Sequence, residues 1–112
     1  MIRLYTPGFE INEGASVPVT ASFYLDMDVA YTPLTVSYRV DSLTYGTSIL
    51  ALTAITPAPA VSFNISGTIN TITAAPRDEM RQITVITTSS TGNTEVETVN
   101  YRLRNLLGIG ST

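Results

Sequence analysis

Leu34-Thr35-Val36-Ser37-Tyr38-Arg39-Val40-Asp41 is the stretch that decides the fold. Successive side chains of an extended chain point to opposite sides, so Leu34, Val36, Tyr38 and Val40 share one face. Thr35, Ser37, Arg39 and Asp41 take the other. A helix would need its apolar residues three and four apart, and here they fall two apart. Pro33 stands just before the run, where a missing N–H does least harm to a ladder. The stretch is predicted as a strand with one buried and one wetted face.

The same period extends outward in both directions. In residues 17–25, Val19, Ala21, Phe23 and Leu25 alternate with Thr20, Ser22 and Tyr24. Val61, Phe63 and Ile65 alternate with Ser62, Asn64 and Ser66, and residues 81–88 place Ile83 and Val85 inward. Residues 48–55 hold the unbroken apolar run Ile49-Leu50-Ala51-Leu52, which predicts a strand covered on both faces. In the last strand, residues 94–104, Val96 lies on one phase and Val99, Tyr101 and Leu103 on the other, which predicts a β-bulge near Glu97 or Thr98.

Between these runs lie turn residues. Tyr45-Gly46 turns the chain, Thr56-Pro57-Ala58-Pro59 is a stiff connection, and Ser89-Ser90-Thr91-Gly92-Asn93 is a hairpin loop with Gly92-Asn93 supplying positive φ. Residues 67–76 form a long crossing in which Ile69 and Ile72 are expected to plug one end of the core. No segment has a helical period. About seven strands with one long crossing predict an all-β protein, an immunoglobulin-like or fibronectin III-like Greek-key sandwich. Residues 1–16 are read as an N-terminal arm or edge strand, 17–105 as the sandwich and 106–112 as a C-terminal tail.

A length of 112 residues suits one core. Charged residues make up 13% against about 25% in ordinary globular chains, with 44% hydrophobic, so part of the surface is expected to be covered by something else. A net charge of −3 repels nucleic acid, and no arginine stripe with interleaved aromatics overrides it. The apolar stretches at 49–52 and 106–107 fall far short of the roughly 20 residues needed to span a bilayer. Neither nucleic acid nor membrane is therefore an expected partner. All six basic residues are arginine, a trait of GC-rich coding or of a need for planar, weakly hydrated cations at packed sites. With no cysteine, neither disulfides nor thiolate metal sites are possible. The N-terminal residues lack the apolar run of a signal peptide, so folding in the cytoplasm of the producing cell is expected.

Catalytic chemistry has little to work with. The absence of His and Cys removes most nucleophile–base pairs and most transition-metal sites. A carboxylate pair would need a shaped cleft, which a sandwich of this size rarely offers. No enzymatic activity and no cofactor are expected. Asp26 and Asp28, two apart beyond a strand end, suit either a hard cation such as Ca²⁺ or an Asx-type turn. Asp78-Glu79 reads as a solvated turn cluster.

The candidates for a binding surface are aromatic and apolar. Tyr38 and Tyr101 fall on inward phases, whereas Tyr24, Tyr31 and Tyr45 lie outward or in loops and suit a protein interface. Leu4, Tyr5, Phe9 and Ile11 precede the sandwich, and Leu106, Leu107 and Ile109 follow it. Chain ends are usually polar and frayed. Apolar ends read as arms that order against a partner or a neighbouring copy, or as an added edge strand in the same domain.

Residues 33–41, together with Ser62-Phe63-Asn64-Ile65-Ser66, Ile69-Asn70-Thr71-Ile72, Arg81-Gln82-Ile83-Thr84-Val85 and Val99-Asn100-Tyr101-Arg102-Leu103-Arg104-Asn105-Leu106, resemble small immunoglobulin-like proteins encoded among the virion genes of tailed bacteriophages. The resemblance spans about residues 15 to 106. It implies an accessory virion protein, made in the bacterial cytoplasm, that decorates the capsid or belongs to a tail, baseplate or head–tail part. Capsid or tail proteins are then the expected partners, with the chain present as a homo-oligomer or in many copies. It transfers no functional residues. A carbohydrate-binding or adhesive module using Asp26 and Asp28 with Ca²⁺ is the alternative from another class.

Overall fold

A computed structural model describes residues 1–6, 8, 10–25, 29–70 and 78–104. Among them are eight strands and no helix: β1 (Ile2–Tyr5), β2 (Glu10–Asn12), β3 (Val17–Phe23), β4 (Thr35–Ser42), β5 (Thr47–Ile55), β6 (Ala60–Ile65), β7 (Glu79–Thr88) and β8 (Thr94–Arg104). They form a three-stranded sheet in the order β1-β3-β6 and a five-stranded sheet in the order β2-β8-β7-β4-β5. All pairings are antiparallel except β2 with β8.

Alternation builds the interior. Val17, Val19, Ala21 and Phe23 of β3 are all buried, while Thr20 and Ser22 point outward. Pro18 lies beyond the last β1 pair, Tyr5 opposite Thr20, where β3 has a single neighbour and a missing N–H is tolerated. The core has two clusters. One joins Val17, Val19 and Ile65 of the first sheet to Val40, Ile83, Tyr101 and Leu103 of the second. The other joins Ile2, Ala21, Phe23 and Val61 to Val36 and Val85. Tyr38 and Phe63 pack against both, with ring centroids 4.0 Å apart, and so tie the clusters together across the sheets.

Several sequence expectations need correction. Leu34 does not open the strand on its inner face: β4 begins at Thr35, and Leu34 is 62% exposed. Pro33 and Tyr31 occupy the end of the core instead. Leu25 likewise falls past the end of β3 and is 54% exposed. The bulge expected near Glu97 or Thr98 is absent; β7 and β8 pair without interruption from Glu79–Leu103 to Thr88–Thr94. Val96 simply stands on the outer face opposite Ile86, and no residue has to be inserted to turn it inward. The irregularity lies between β4 and β5, where the register shifts twice. Nor is β5 covered on both faces. It is an edge strand, and only Ile49, Leu50 and Ile55 of it pack on the core.

Residues 1–16, the leader, place both of their described strands at sheet edges. β1 extends the smaller sheet and β2 the larger, which raises the strand count from about seven to eight. The hairpin between β7 and β8 turns where its sequence indicated. Gly92 has φ 89°, and its N–H donates to the Ser89 carbonyl at 2.9 Å. Ile69 packs against the core as expected; Ile72 and the tail at 106–112 lie outside the described residues.

Candidate interaction surfaces

Inward alternation along β7 continues past Ile83 to two charged residues. Arg81 and Glu79, each 2% exposed, form an ion pair in which Arg81 Nε donates to Glu79 Oε2 at 2.7 Å. Arg81 Nη1 also donates to the Ile69 carbonyl at 2.7 Å. Beside them Tyr101 Oη donates to Asn70 Oδ1 at 2.7 Å, and Asn70 Nδ2 donates to the Ala15 carbonyl at 2.8 Å. The Gly14 N–H donates to the Asn70 carbonyl at 2.7 Å. Glu79 is therefore no part of a solvated turn. Period two already contained the signal, because residues 79, 81, 83 and 85 share a parity. This network pins the turn at residues 13–15 and the loop at 66–70 to the sheets, a positioning role.

Burial raises the Tyr101 phenol above its ordinary value of 10.0, with Glu79 adding to the shift and Arg81 opposing it. Below the unfolded value both states are neutral and the stabilisation is complete. As pH climbs, the unfolded chain loses its proton first, so stability falls until the folded phenol ionises too. Urea midpoints are expected to drop between about pH 9 and 11, and Tyr101→Phe is expected to flatten that drop. An unchanged pH profile in the variant would remove Tyr101 as its source.

The sequence-nominated interface residues do not form one patch. Leu4 turns inward and packs on the Phe23 cluster. Tyr5, 55% exposed, and Tyr24 stand on the outer face of the smaller sheet, where the Arg3 guanidinium lies 4.5 Å from the Tyr24 ring centroid. Tyr31 is half-buried at the end of the core and donates its hydroxyl to Glu95 Oε1 at 3.3 Å. Burial, then the Glu95 charge, raises its phenol. Tyr45 lies in the turn between β4 and β5, at the opposite end of β4 from Tyr31. Phe9, Leu106, Leu107 and Ile109, and the acid pair Asp26 and Asp28, lie outside the described residues. The flanks of that acid loop are closed by the Leu25 N–H, which donates to the Val29 carbonyl at 2.7 Å, and by a bridge between Tyr24 and Ala30. Among the described residues no three His, Cys, Asp or Glu gather as a metal site would require.

On the outer face of the larger sheet, Arg39 and Asp41 form a two-pronged pair at 3.0 and 2.8 Å. Both are solvated, and such pairs add little stability. Toward the β2 edge, Arg102 and Arg104 reach Glu10, each at 3.7 Å, and Arg102 reaches Asp78 at 3.5 Å. The β5 edge differs in kind. Leu52 is 57% exposed, with exposed Ala51 and Ala54 around it and no charge along the strand. Sequence reading missed this surface because an apolar run looks the same in a covered strand and in an edge. Compared with known protein families and with curated proteins, the chain matches none.

Proposed function

We propose that the chain is a non-enzymatic virion structural protein of a tailed bacteriophage, built on an immunoglobulin-like Greek-key sandwich and docked in many copies on the assembled capsid. The strand order supports the fold. β1-β3-β6 facing β8-β7-β4 corresponds to strands A-B-E facing G-F-C of an immunoglobulin domain, with β5 as an added strand beside C. The observation that carries the function is a β body in which Leu52, with Ala51 and Ala54, stands exposed on an uncharged sheet edge. Such a body attaches by surface contact, and many modest contacts on a shell add up through multivalency. The sequence resemblance supplies the virion setting.

Purified particles test the reading. Co-sedimentation with heads and quantitative mass spectrometry are expected to find hundreds of copies per particle. About a dozen copies, restricted to tails, would reassign the chain to a tail or adaptor ring. A protein found only free of particles overturns the virion role.

A further inference from the structure

Among the described strands, β2 and β8 make the one parallel pair, with Glu10, Ile11 and Asn12 beside Arg102, Leu103 and Arg104. The Glu13 N–H carries the ladder a step further and donates to the Arg104 carbonyl at 2.9 Å. In a parallel ladder alternate residues turn both backbone groups to the same neighbour, so Ile11, two before Glu13, aims its N–H at β8.

The direction of the chain gives this pairing a mechanical meaning. β1 starts beside the start of β8, where the Met1 amine lies 2.8 Å from Glu95. β1 then ascends the smaller sheet, and β2 continues the ascent in the larger one, level with the last residues of β8. The start of β1 and the end of β8 therefore lie at opposite ends of the sandwich. A pull on those two points slides β2 and β8 past each other along their own length, and every ladder bond of the pair is strained at once. A pull across the strands would open the rungs one after another. β1 meets the lengthwise pull in the same way, through four residue pairs with β3 and the buried side chain of Ile2.

Further fastenings converge on β2 and β8. Arg102 and Arg104 each reach Glu10 at 3.7 Å, so one carboxylate on β2 holds two points on β8. Just past β2, the Gly14 N–H donates to the Asn70 carbonyl and Asn70 Nδ2 donates to the Ala15 carbonyl. Tyr101 of β8 donates to Asn70 Oδ1. Asn70 and Tyr101 are buried, so water is not at hand to take over these bonds as they stretch. The Gly67 backbone lies against the Gly14 carbonyl with no room for a side chain, which closes the turn onto the loop.

We propose that the domain bears tension along its strands, with the β2–β8 pair and the Asn70 network as its clamp. Such a domain holds together whatever is joined ahead of β1 and after β8. The proposal does not depend on the virion assignment and is tested on the purified chain alone.

Single-molecule force spectroscopy is the test, because forced unfolding follows the unfolding barrier and not equilibrium stability. The lengthwise pull uses handles fused to the two ends of the chain. The crosswise pull replaces the first handle with one on Leu43→Cys, the chain having no cysteine of its own. Leu43 is 47% exposed and follows Ser42, which lies at the same end of the larger sheet as Arg104. The lengthwise unfolding force is expected to be at least about twice the crosswise one, since bonds yield together in the first and singly in the second. Ile11→Pro removes the N–H aimed at β8 and is expected to abolish the difference. Ile11→Ala loses the same packing on the core but keeps the N–H, and is expected to retain it. Equal forces in the two directions overturn the proposal, whether or not Ile11→Pro folds. So does a difference that Ile11→Pro leaves as large as Ile11→Ala does.

Discussion

Arg81→Ala is expected to destabilise the protein by about 3–5 kcal/mol, because it strands a buried carboxylate. Glu79 would keep its place on the inner face of β7 with its cation gone, and the Ile69 carbonyl would lose its donor. Domains of this size have only about 5–15 kcal/mol of total stability, so the variant would lie close to the unfolding threshold. Replacing both members is expected to cost far less. A Glu79→Leu, Arg81→Met double variant removes two desolvated charges together and fills the same space with apolar atoms. Urea unfolding of the single and double variants measures the difference. A loss below about 1 kcal/mol in Arg81→Ala would mean that water reaches Glu79 and that the pair is a surface one.

Phe23→Ala is expected to cost about 3–5 kcal/mol, from lost transfer energy and from the cavity left behind. The ring is fully buried among Ile2, Ala21, Val36, Val61 and Val85, which come from both sheets. Its backbone also holds neighbours in place: its N–H donates to the Pro59 carbonyl at 3.0 Å and its carbonyl accepts from the Tyr31 N–H at 3.1 Å. Leu25, two residues further on and on the same nominal phase, is a built-in comparison. It is exposed, and Leu25→Ala is expected to shift stability by no more than about 0.5 kcal/mol. Equal losses in the two variants would contradict the placement of Leu25 outside the core.

That contrast shows how much of the fold was legible. The alternation of β3, β4 and β7 names its buried residues directly, because the pleat sends every second side chain inward. Where the strand leaves the opposing sheet, the pattern continues in sequence but the partner surface does not. Leu25 and Leu34 fail for this reason. β8 shows the converse: Val96 breaks the apolar phase without breaking the ladder, since an outward valine on a solvated face costs little. The parity that would have placed Glu79 inside was present in the sequence. It gave way to the general preference of charged residues for solvent, which a paired and hydrogen-bonded partner removes.

The candidate surface was less legible than the core. Tyrosines scattered along the chain read as a set, yet they sit on an outer sheet face, at the end of the core and in a distant turn. The uncharged run of β5 was visible by inspection, but its meaning depends on that strand being an edge.

By itself, then, the sequence determined what local stereochemistry controls. That is the all-β character, the positions of β3 to β8, the inward face of each regular strand among them and the hairpin at Gly92. The tertiary structure alone decided which strands are edges, which charged residues are buried, and that the leader divides between two sheets. Those outcomes depend on pairings between residues far apart in the chain, as between Arg81 and Tyr101 or Ile2 and Phe23. A period of two specifies the face of a strand, and it carries no information about which strand lies beside it.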